Sequence, residues 1–378
     1  MSGVRQSVSF AFEDEYGVSP VEGWTYLPPG AWFTSSFSRT VNSLYEVGKK
    51  QVEDFNFGKI SGTWQLIFTL DYNYLEPLLM VFEGYDCEPY AIVDDQGNNT
   101  TFYNWYNHKF YKTETGKLRS VTFRRKVLHK VFGNAKDEMS MVHGAICTSM
   151  TMSQSGGKSQ IQVNMSGIYS TESTVPDDVD FLDVREDYPM LAEYGCVYCG
   201  DKLWGNTINW GIQVSNNAIG VYGVGNPTVK SFYEGQTNNA FTVTILSENP
   251  DRLIRRAYSG GYKAVSEPVF ANSRPIPQMT VRSWGQTLEE YSVNADTEDE
   301  SDHSSEYGPE DNLEIKYRMD IDIRDCVVNM VSRQSGDGDK MLDSLTKGRC
   351  GELSISFMNQ YNGSYLDSKL HEITNEMD

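Results

Sequence analysis

Cys196 and Cys199 stand in a Cys-Val-Tyr-Cys step, the spacing with which two thiolates grip one zinc ion. A closed zinc site needs four such donors, and no second close pair of Cys or His occurs in the chain. The histidines, His108, His129, His143, His303 and His371, are scattered and form no HxH or HxxxH pair. Gly156-Gly157-Lys158-Ser159 has the closing letters of a phosphate-cradling loop. That loop needs an earlier glycine where Met152 stands and a helix behind it. Here the stretch lies between two alternating segments and reads as a hairpin turn. Counted from Asp296, the acidic stretch fails as a calcium loop: Ser301 stands where glycine is required and Tyr307 where glutamate is required. Fifty-two Asp and Glu offer many carboxylate pairs, but no spacing singles one out. These residues predict a protein that is not an enzyme, with no cofactor and no metal.

The chain has 378 residues, 32 Lys and Arg against 52 Asp and Glu, and a net charge of −20. At about 150 residues per domain this is two or three domains with ample core. Such a charge excludes coating of duplex nucleic acid, which requires net Lys and Arg to neutralise phosphate. It leaves room for nucleic acid that slides past without sticking. Half of the net charge sits in 288–311, where ten Asp or Glu stand with no Lys or Arg, the pattern of a solvated acidic loop. The rest is a mildly negative framework. No signal-peptide core occurs at the start, and the longest wholly apolar run, 78–82, is far short of a membrane span. The cysteines (Cys87, Cys147, Cys196, Cys199, Cys326 and Cys350) are too few and scattered for a disulfide framework. A soluble, intracellularly made protein with free thiols, and no membrane partner, is the expectation.

Aromatic residues make up 12% of the chain, and alternation with period two dominates it. Trp64, Leu66, Phe68 and Leu70 share one face of 63–71. Ile161, Val163 and Met165 alternate with Gln160, Gln162, Asn164 and Ser166. Trp210, Ile212 and Val214 oppose Gln213 and Ser215. Phe241, Val243 and Ile245 alternate with threonines; Met319, Ile321 and Ile323 alternate with Asp320 and Asp322; Leu353, Ile355 and Phe357 alternate with Glu352, Ser354 and Ser356. Each is a strand with one buried and one wet face, suited to antiparallel sheets. The wet faces carry mostly amides and hydroxyls.

Two segments, 71–83 (DYNYLEPLLMVFE) and 247–259 (SENPDRLIRRAYS), open on capping residues and stop at Gly84 and Gly260, which predicts helices. Pro77 marks where the first begins. They expose a repeat. Both 59–85 and 234–262 run through a Gly-containing turn, a Thr-alternating strand, a polar bend and a helix, and the closing Gly84-Tyr85 of one answers to Gly261-Tyr262 of the other. Upstream of each lies a long strand with an Asn-Ser or Asn-Asn step, 36–48 and 210–223. Downstream lies a paired-strand signal, 143–169 in the first copy and 313–334 with 351–359 in the second. The expected organisation is one module used twice: 1–175, with an insert at 86–142, and 176–378, with an insert at 263–312 holding the acidic loop.

The opening SFAFEDEYGVSPVEGWTYLP resembles the start of tail tube proteins of tailed bacteriophages, with its acidic-Tyr-Gly step and Trp-bearing lead into the first strand. WGIQVSNNAIGVYGVGNPTVKSFYEGQTNNAFTVTIL resembles the long hairpin of that family, and HGAICTSMTMSQSGGKSQIQVNMSG its C-terminal hairpin. The resemblance covers about two-thirds of the chain. It implies a mainly β fold of two sandwich modules, each with a flanking helix, whose long hairpins pool into a β-barrel on oligomerisation. Single-module tubes use six subunits per ring, so a fused pair implies trimeric, pseudo-hexameric rings with eight barrel strands per chain. It also implies the partners: other copies of the chain in rings and stacks, sheath or tape measure, terminator and baseplate, and viral DNA in transit. The place is the virion tail, assembled in the host cytoplasm.

A conduit for DNA must avoid Lys/Arg clusters that would trap phosphate. Gln160, Gln162, Asn164, Ser166, Gln213 and Ser215 fit such a lining, with Asp320 and Asp322 as candidates to supply a negative sign. The rivals are a terminator, hub or decoration protein with the same module, and a carbohydrate-binding or hydrolytic β-sandwich using Trp64, Trp204 and Trp210 as sugar platforms.

Overall fold

The computed structural model describes residues 5–44, 54–93, 99–114, 116–131, 134–154, 160–174, 194–199, 202–247, 276–284, 318–327, 330–335 and 341–359. In chain order its strands begin with β1 (Arg5–Phe12), β2 (Thr25–Tyr26), β3 (Trp32–Leu44), β4 (Asp54–Thr69), β5 (Gly84–Val93), β6 (Asn99–Tyr111) and β7 (Val121–Val131). There follow β8 (Asn134–Gln154), β9 (Gln162–Tyr169), β10 (Thr171–Thr174), β11 (Tyr194–Cys199), β12 (Lys202–Ser215), β13 (Ile219–Tyr222) and β14 (Val229–Tyr233). The last six are β15 (Asn238–Ser247), β16 (Ile276–Trp284), β17 (Arg318–Cys326), β18 (Met330–Ser335), β19 (Met341–Cys350) and β20 (Glu352–Asn359). Every pairing among them is antiparallel, and the fold is mainly β as the alternation predicts.

Eight strands form one continuous run in the order β3-β4-β9-β8-β12-β15-β19-β18. A second group, β2-β1-β7-β8-β10, shares β8 with the first. A third runs β5-β6-β20-β17-β16-β11-β12 and shares β12. The apolar faces of all three meet in one core that includes Phe10, Trp64, Phe68, Phe123, Met150, Met165, Ile212, Phe241, Ile321 and Phe357. The alternating apolar residues read from the sequence in 64–70, 161–165, 210–214, 241–245, 319–323 and 353–357 are all buried.

β8 is long enough to serve two layers. Its first half pairs with β7 and β10, its second with β9 and β12. The change of layer falls at Gly144, which holds φ +62, a conformation open to glycine without a Cβ clash. A register shift at Cys147/Ser149 follows.

The helix expected over 71–83 is shorter in the structure: a 3-10 turn, Glu76–Met80, with Pro77 in its first turn. Asp71 Oδ1 accepts the Asn73 amide at 2.8 Å, the polar bend before it. Nearly every side chain from Leu70 to Phe82 is buried, so this segment plugs the core and presents no wet face along which an amphipathic helix could extend. The second expected helix, 247–259, lies beyond Ser247 outside the described residues, as does the acidic loop 288–311.

The Asn-Asn step breaks its strand. β12 stops at Ser215, Asn217 holds φ +50, and β13 starts at Ile219. Asn216 is buried, giving its amide to the Thr148 carbonyl at 2.8 Å and its side chain to the Cys147 carbonyl at 3.3 Å. The downstream pair expected of 313–334 with 351–359 divides: β17 pairs with β20, whereas β18 pairs with β19.

Candidate functional site

The wet face of the eight-strand run is built by register. Trp32, Ile67, Asn164, Thr151, Gln213, Ala240 and Arg349 stand opposite one another across seven strands. On one side the next row is Thr34, Gln65, Ser166, Ser149, Ser215 and Asn238. On the other it is Thr69, Gln162, Ser153, Gly211 and Thr242. Five of the residues singled out from sequence, Gln162, Asn164, Ser166, Gln213 and Ser215, thus share one face although they come from two distant segments. Gln160 is exposed just before the start of β9.

These three rows hold amides, hydroxyls and few apolar groups, and Arg349 is their single charge. Their side chains bond to one another: Gln65 Nε2 donates to Asn164 Oδ1 at 3.1 Å and Gln213 Nε2 to Ser215 Oγ at 3.4 Å. The first crosses from β4 to β9 and the second runs along β12, and both hold amides in place without any charge. A shallow depression on β8, β12, β15 and β19 has Gly211 in its floor, with Thr151, Ser153, Gln213, Thr242 and Arg349 around it.

Asp320 and Asp322 do not join this face. Both lie on β17, in the group that runs through β16 and β20. Asp320 is buried in ion pairs with Arg282 Nε at 2.8 Å and Arg318 Nη2 at 3.2 Å, so its charge is compensated on the spot. Asp322 accepts from Thr280 Oγ1 and lines a groove of mixed sign with Lys109, Lys112, Arg324 and Glu352. Alternation alone places a residue on the wet side of its strand, whatever sheet that strand enters.

The residues that suggested chemistry are committed elsewhere. Cys196 is buried on β11, and among the described residues no three His, Cys, Asp or Glu gather to hold a metal. His108 is buried between Tyr85 Oη at 2.7 Å and Asn359 Oδ1 at 2.9 Å, tying β5 and β6 to β20. The Gly-Gly-Lys-Ser stretch lies outside the described residues, in the interval between β8 and β9, which pair antiparallel. Trp64 and Trp210 are each 2% exposed, which removes both as sugar platforms. No helix among the described residues is long and apolar enough to cross a membrane.

One cluster escaped the sequence reading. The Glu13 carboxylate is buried and accepts from the Gly144 amide and Thr122 Oγ1 through Oε1, and from the Gly17 amide through Oε2, all within 2.7 Å. Burial, followed by the Glu13 and Tyr222 charges, raises the neighbouring Tyr16 phenol far above its ordinary value. The acidic-Tyr-Gly step was visible in the sequence; what it clamps was not.

No family model matches the chain, and no curated protein matches it. A crystal structure of a Pseudomonas aeruginosa FadL homologue aligns over 94% of this chain and 88% of its own at 8% identity, with a TM-score of 0.09. A score that low expresses no likeness of fold.

Proposed function

We propose that this chain is a structural subunit of a bacteriophage tail tube, polymerising as stacked trimeric rings around a channel that conducts viral DNA. The observation that carries the reading is the eight-strand run, open at both ends among the described residues, with a polar face nearly free of charge. Three such runs closing on themselves give a barrel of two dozen strands, which removes the exposed edges that otherwise invite uncontrolled pairing.

The reading requires two modules, 1–175 and 176–378, and the pairings support them. β3–β4, β4–β9, β9–β8, β8–β7, β7–β1 and β8–β10 find counterparts in β12–β15, β15–β19, β19–β18, β17–β16, β16–β11 and β17–β20. Thr63 opposite Ile168 answers to Ala240 opposite Arg349, and the step from Thr63 to Ala240 equals the step from Tyr85 to Tyr262 in the sequence repeat. Details match as well. Gly144 at φ +62 answers to Asp325 at φ +53. The Ser170 amide bonds the His143 carbonyl at 2.9 Å and the Gly351 amide bonds the Arg324 carbonyl at 3.1 Å. On this reading β7 and β16 are framework strands within the stretches 86–142 and 263–312, and the β5–β6 hairpin is particular to the first module. A flanking helix in each module stays part of the proposal.

A DNA conduit gains from a lining that neither traps phosphate nor repels it strongly, and uncharged amides and hydroxyls supply that. Sheath or tape measure, terminator and baseplate are the partners such a tube would meet in the virion. Negative-stain microscopy of the purified protein at rising concentration tests the reading. Hollow tubes of unlimited length are expected. Rings that stop at a single layer would replace it with a terminator or hub, and a persistent monomer would overturn it.

A further inference from the structure

Among the described residues the halves join through two strand pairs, β6 with β20 and β8 with β12, and the chain displays the two unmatched sides of another junction of the second kind. In the internal junction the edge of β8 pairs with β12, from Ser149↔Ser215 to Gln154↔Trp210. The β13–β14 hairpin then reaches back across the first half. The Pro227 carbonyl accepts the Ile60 amide at 2.8 Å, the Val229 carbonyl accepts Ser170 Oγ at 2.8 Å, and Glu234 accepts the Leu118 amide at 2.7 Å. Val229 is buried there, and the Phe232 ring meets Tyr16 at 5.8 Å.

The counterparts of both partners stand at the outer ends of the eight-strand run. Among the described residues β3 pairs with β4 alone and β18 with β19 alone. The outer part of the β3–β4 hairpin, which answers to β13–β14, leaves Phe37, Val41, Phe55 and Phe57 exposed. The contrast between equivalent positions is sharp. Val214 lies opposite Met150 and is 0% exposed, whereas Phe37, its counterpart in the first module, is 71% exposed.

We infer that β18 of one copy pairs with β3 of the next, and that the β3–β4 hairpin beyond Phe37 docks on the second half of that neighbour as β13–β14 docks on the first half within the chain. The occupant of the exposed apolar hairpin is therefore a second copy, and the junction rests on the two-module reading above. Head-to-tail contact of unlike surfaces closes into a ring when the rotation permits. The register follows from the internal one. Gly211 opposite Thr242 in the second module answers to Thr34 opposite Gln65 in the first. Ile146 opposite Ile168 in the first answers to Val327 opposite Arg349 in the second. Carried over, Ser149↔Ser215 becomes Met330 opposite Ser38 of the neighbour, and Thr151↔Gln213 becomes Ser332 opposite Ser36. Ser36 carries the polar face onward, its hydroxyl 2.9 Å from that of Thr63.

The test uses the full chain with the pair Ser36→Cys and Ser332→Cys, oxidised after assembly, against the displaced pair Ser36→Cys and Gln334→Cys and the unaltered protein. Peptide mapping separates the engineered link from native thiols. The in-register pair should give at least a tenfold excess of intermolecular link over the displaced pair, with covalent species ending at the trimer. In parallel, Phe37→Asp with Phe57→Asp should abolish assembly while leaving the circular dichroism spectrum and thermal midpoint of the monomer unchanged. Tubes that form without the in-register link, or with the displaced link dominant, overturn this junction and leave the tube reading standing; single-layer rings that form so overturn both. The in-register link in species that never form tubes upholds the junction and overturns the tube. A monomer at every concentration overturns both.

Discussion

The backbone N–H of Gly144 donates to Glu13 Oε1 at 2.7 Å, across 131 residues of sequence, where β8 leaves one layer for the other. The same carboxylate holds Thr122 and Gly17, so one side chain fixes the N-terminal segment against the bend. Glu13→Ala strands the buried Gly144 amide and Thr122 hydroxyl and the half-buried Gly17 amide, for which a loss of about 3 kcal/mol is expected. Urea unfolding measures it. Glu13→Gln should fall between, since one acceptor oxygen survives. A loss for the alanine variant under about 0.5 kcal/mol, the range of an ordinary surface substitution, would refute the clamp.

Several glycines accept an aromatic neighbour across the strand, Gly167 and Gly348 among them. Gly167 lies opposite Trp64, and Gly348 opposite Phe241. A Cβ at Gly167 would strike the Ile146 carbonyl oxygen, and one at Gly348 the Phe241 ring. Each Gly→Ala change should cost about 2–3 kcal/mol through forced displacement of core groups. Gly223→Ala, whose Cβ would meet only ordinary contacts, should stay within about 0.5 kcal/mol. Thermal unfolding of the three variants checks the ranking.

The Cys147 thiol is buried, and burial pushes its pKa up to about 12 against weaker lowering contributions from backbone hydrogen bonds and Lys112. Reaction needs the thiolate. Iodoacetamide at pH 8 should therefore leave Cys147 unmodified in the folded protein and label it in urea, while the part-exposed Cys87 reacts in both. Labelling of Cys147 at the rate of Cys87 under native conditions would contradict this.

Burial lowers the pKa of His143 below its ordinary 6.5, outweighing the opposite pull of Glu13. As pH falls through 6.5 the unfolded chain takes up a proton that the folded chain accepts only at lower pH. Stability from this group is therefore whole above pH 6.5 and declines toward the folded pKa. His143→Gln should flatten the fall in urea midpoint between pH 7.5 and about 5.5. An unchanged slope would remove His143 as its source.

Positive charge on the polar face tests what that face is for. Gln162 and Gln213 are exposed, so Gln162→Lys with Gln213→Lys should leave stability within about 0.5 kcal/mol. Assembled tubes of the variant should retain DNA at low salt and release it as salt rises, because counterion release drives the binding. Retention by the unaltered protein, equal to that of the variant, would count against the neutral lining.

Much of the sheet was legible because each strand writes its burial locally. Trp64 to Leu70, or Val163 and Met165, alternate in sequence as they do in space. In the two-module reading proposed above, Thr63 opposite Ile168 corresponds to Ala240 opposite Arg349. The helix over 71–83 was over-read. Asp71 makes a bend with Asn73 and does not cap the turn, whose N-cap Leu75 carries no side-chain hydrogen bond, and a segment buried on nearly all sides has no wet face to extend along. Asp320 and Asp322 stand off the polar face because β17 pairs with β16 and β20, a partnership that alternation within β17 does not reveal.

By itself the sequence determined which residues of the alternating segments turn to the core and that no zinc, phosphate-loop or calcium motif is complete, since side-chain alternation and motif spacing are local properties. Only the tertiary structure decided which wet faces join. Gln162 and Gln213 meet on one surface because β8 lies between their strands and bends at Gly144. It also decided which edges stay open among the described residues, because strand pairing is a contact between distant segments whose partners no local pattern names.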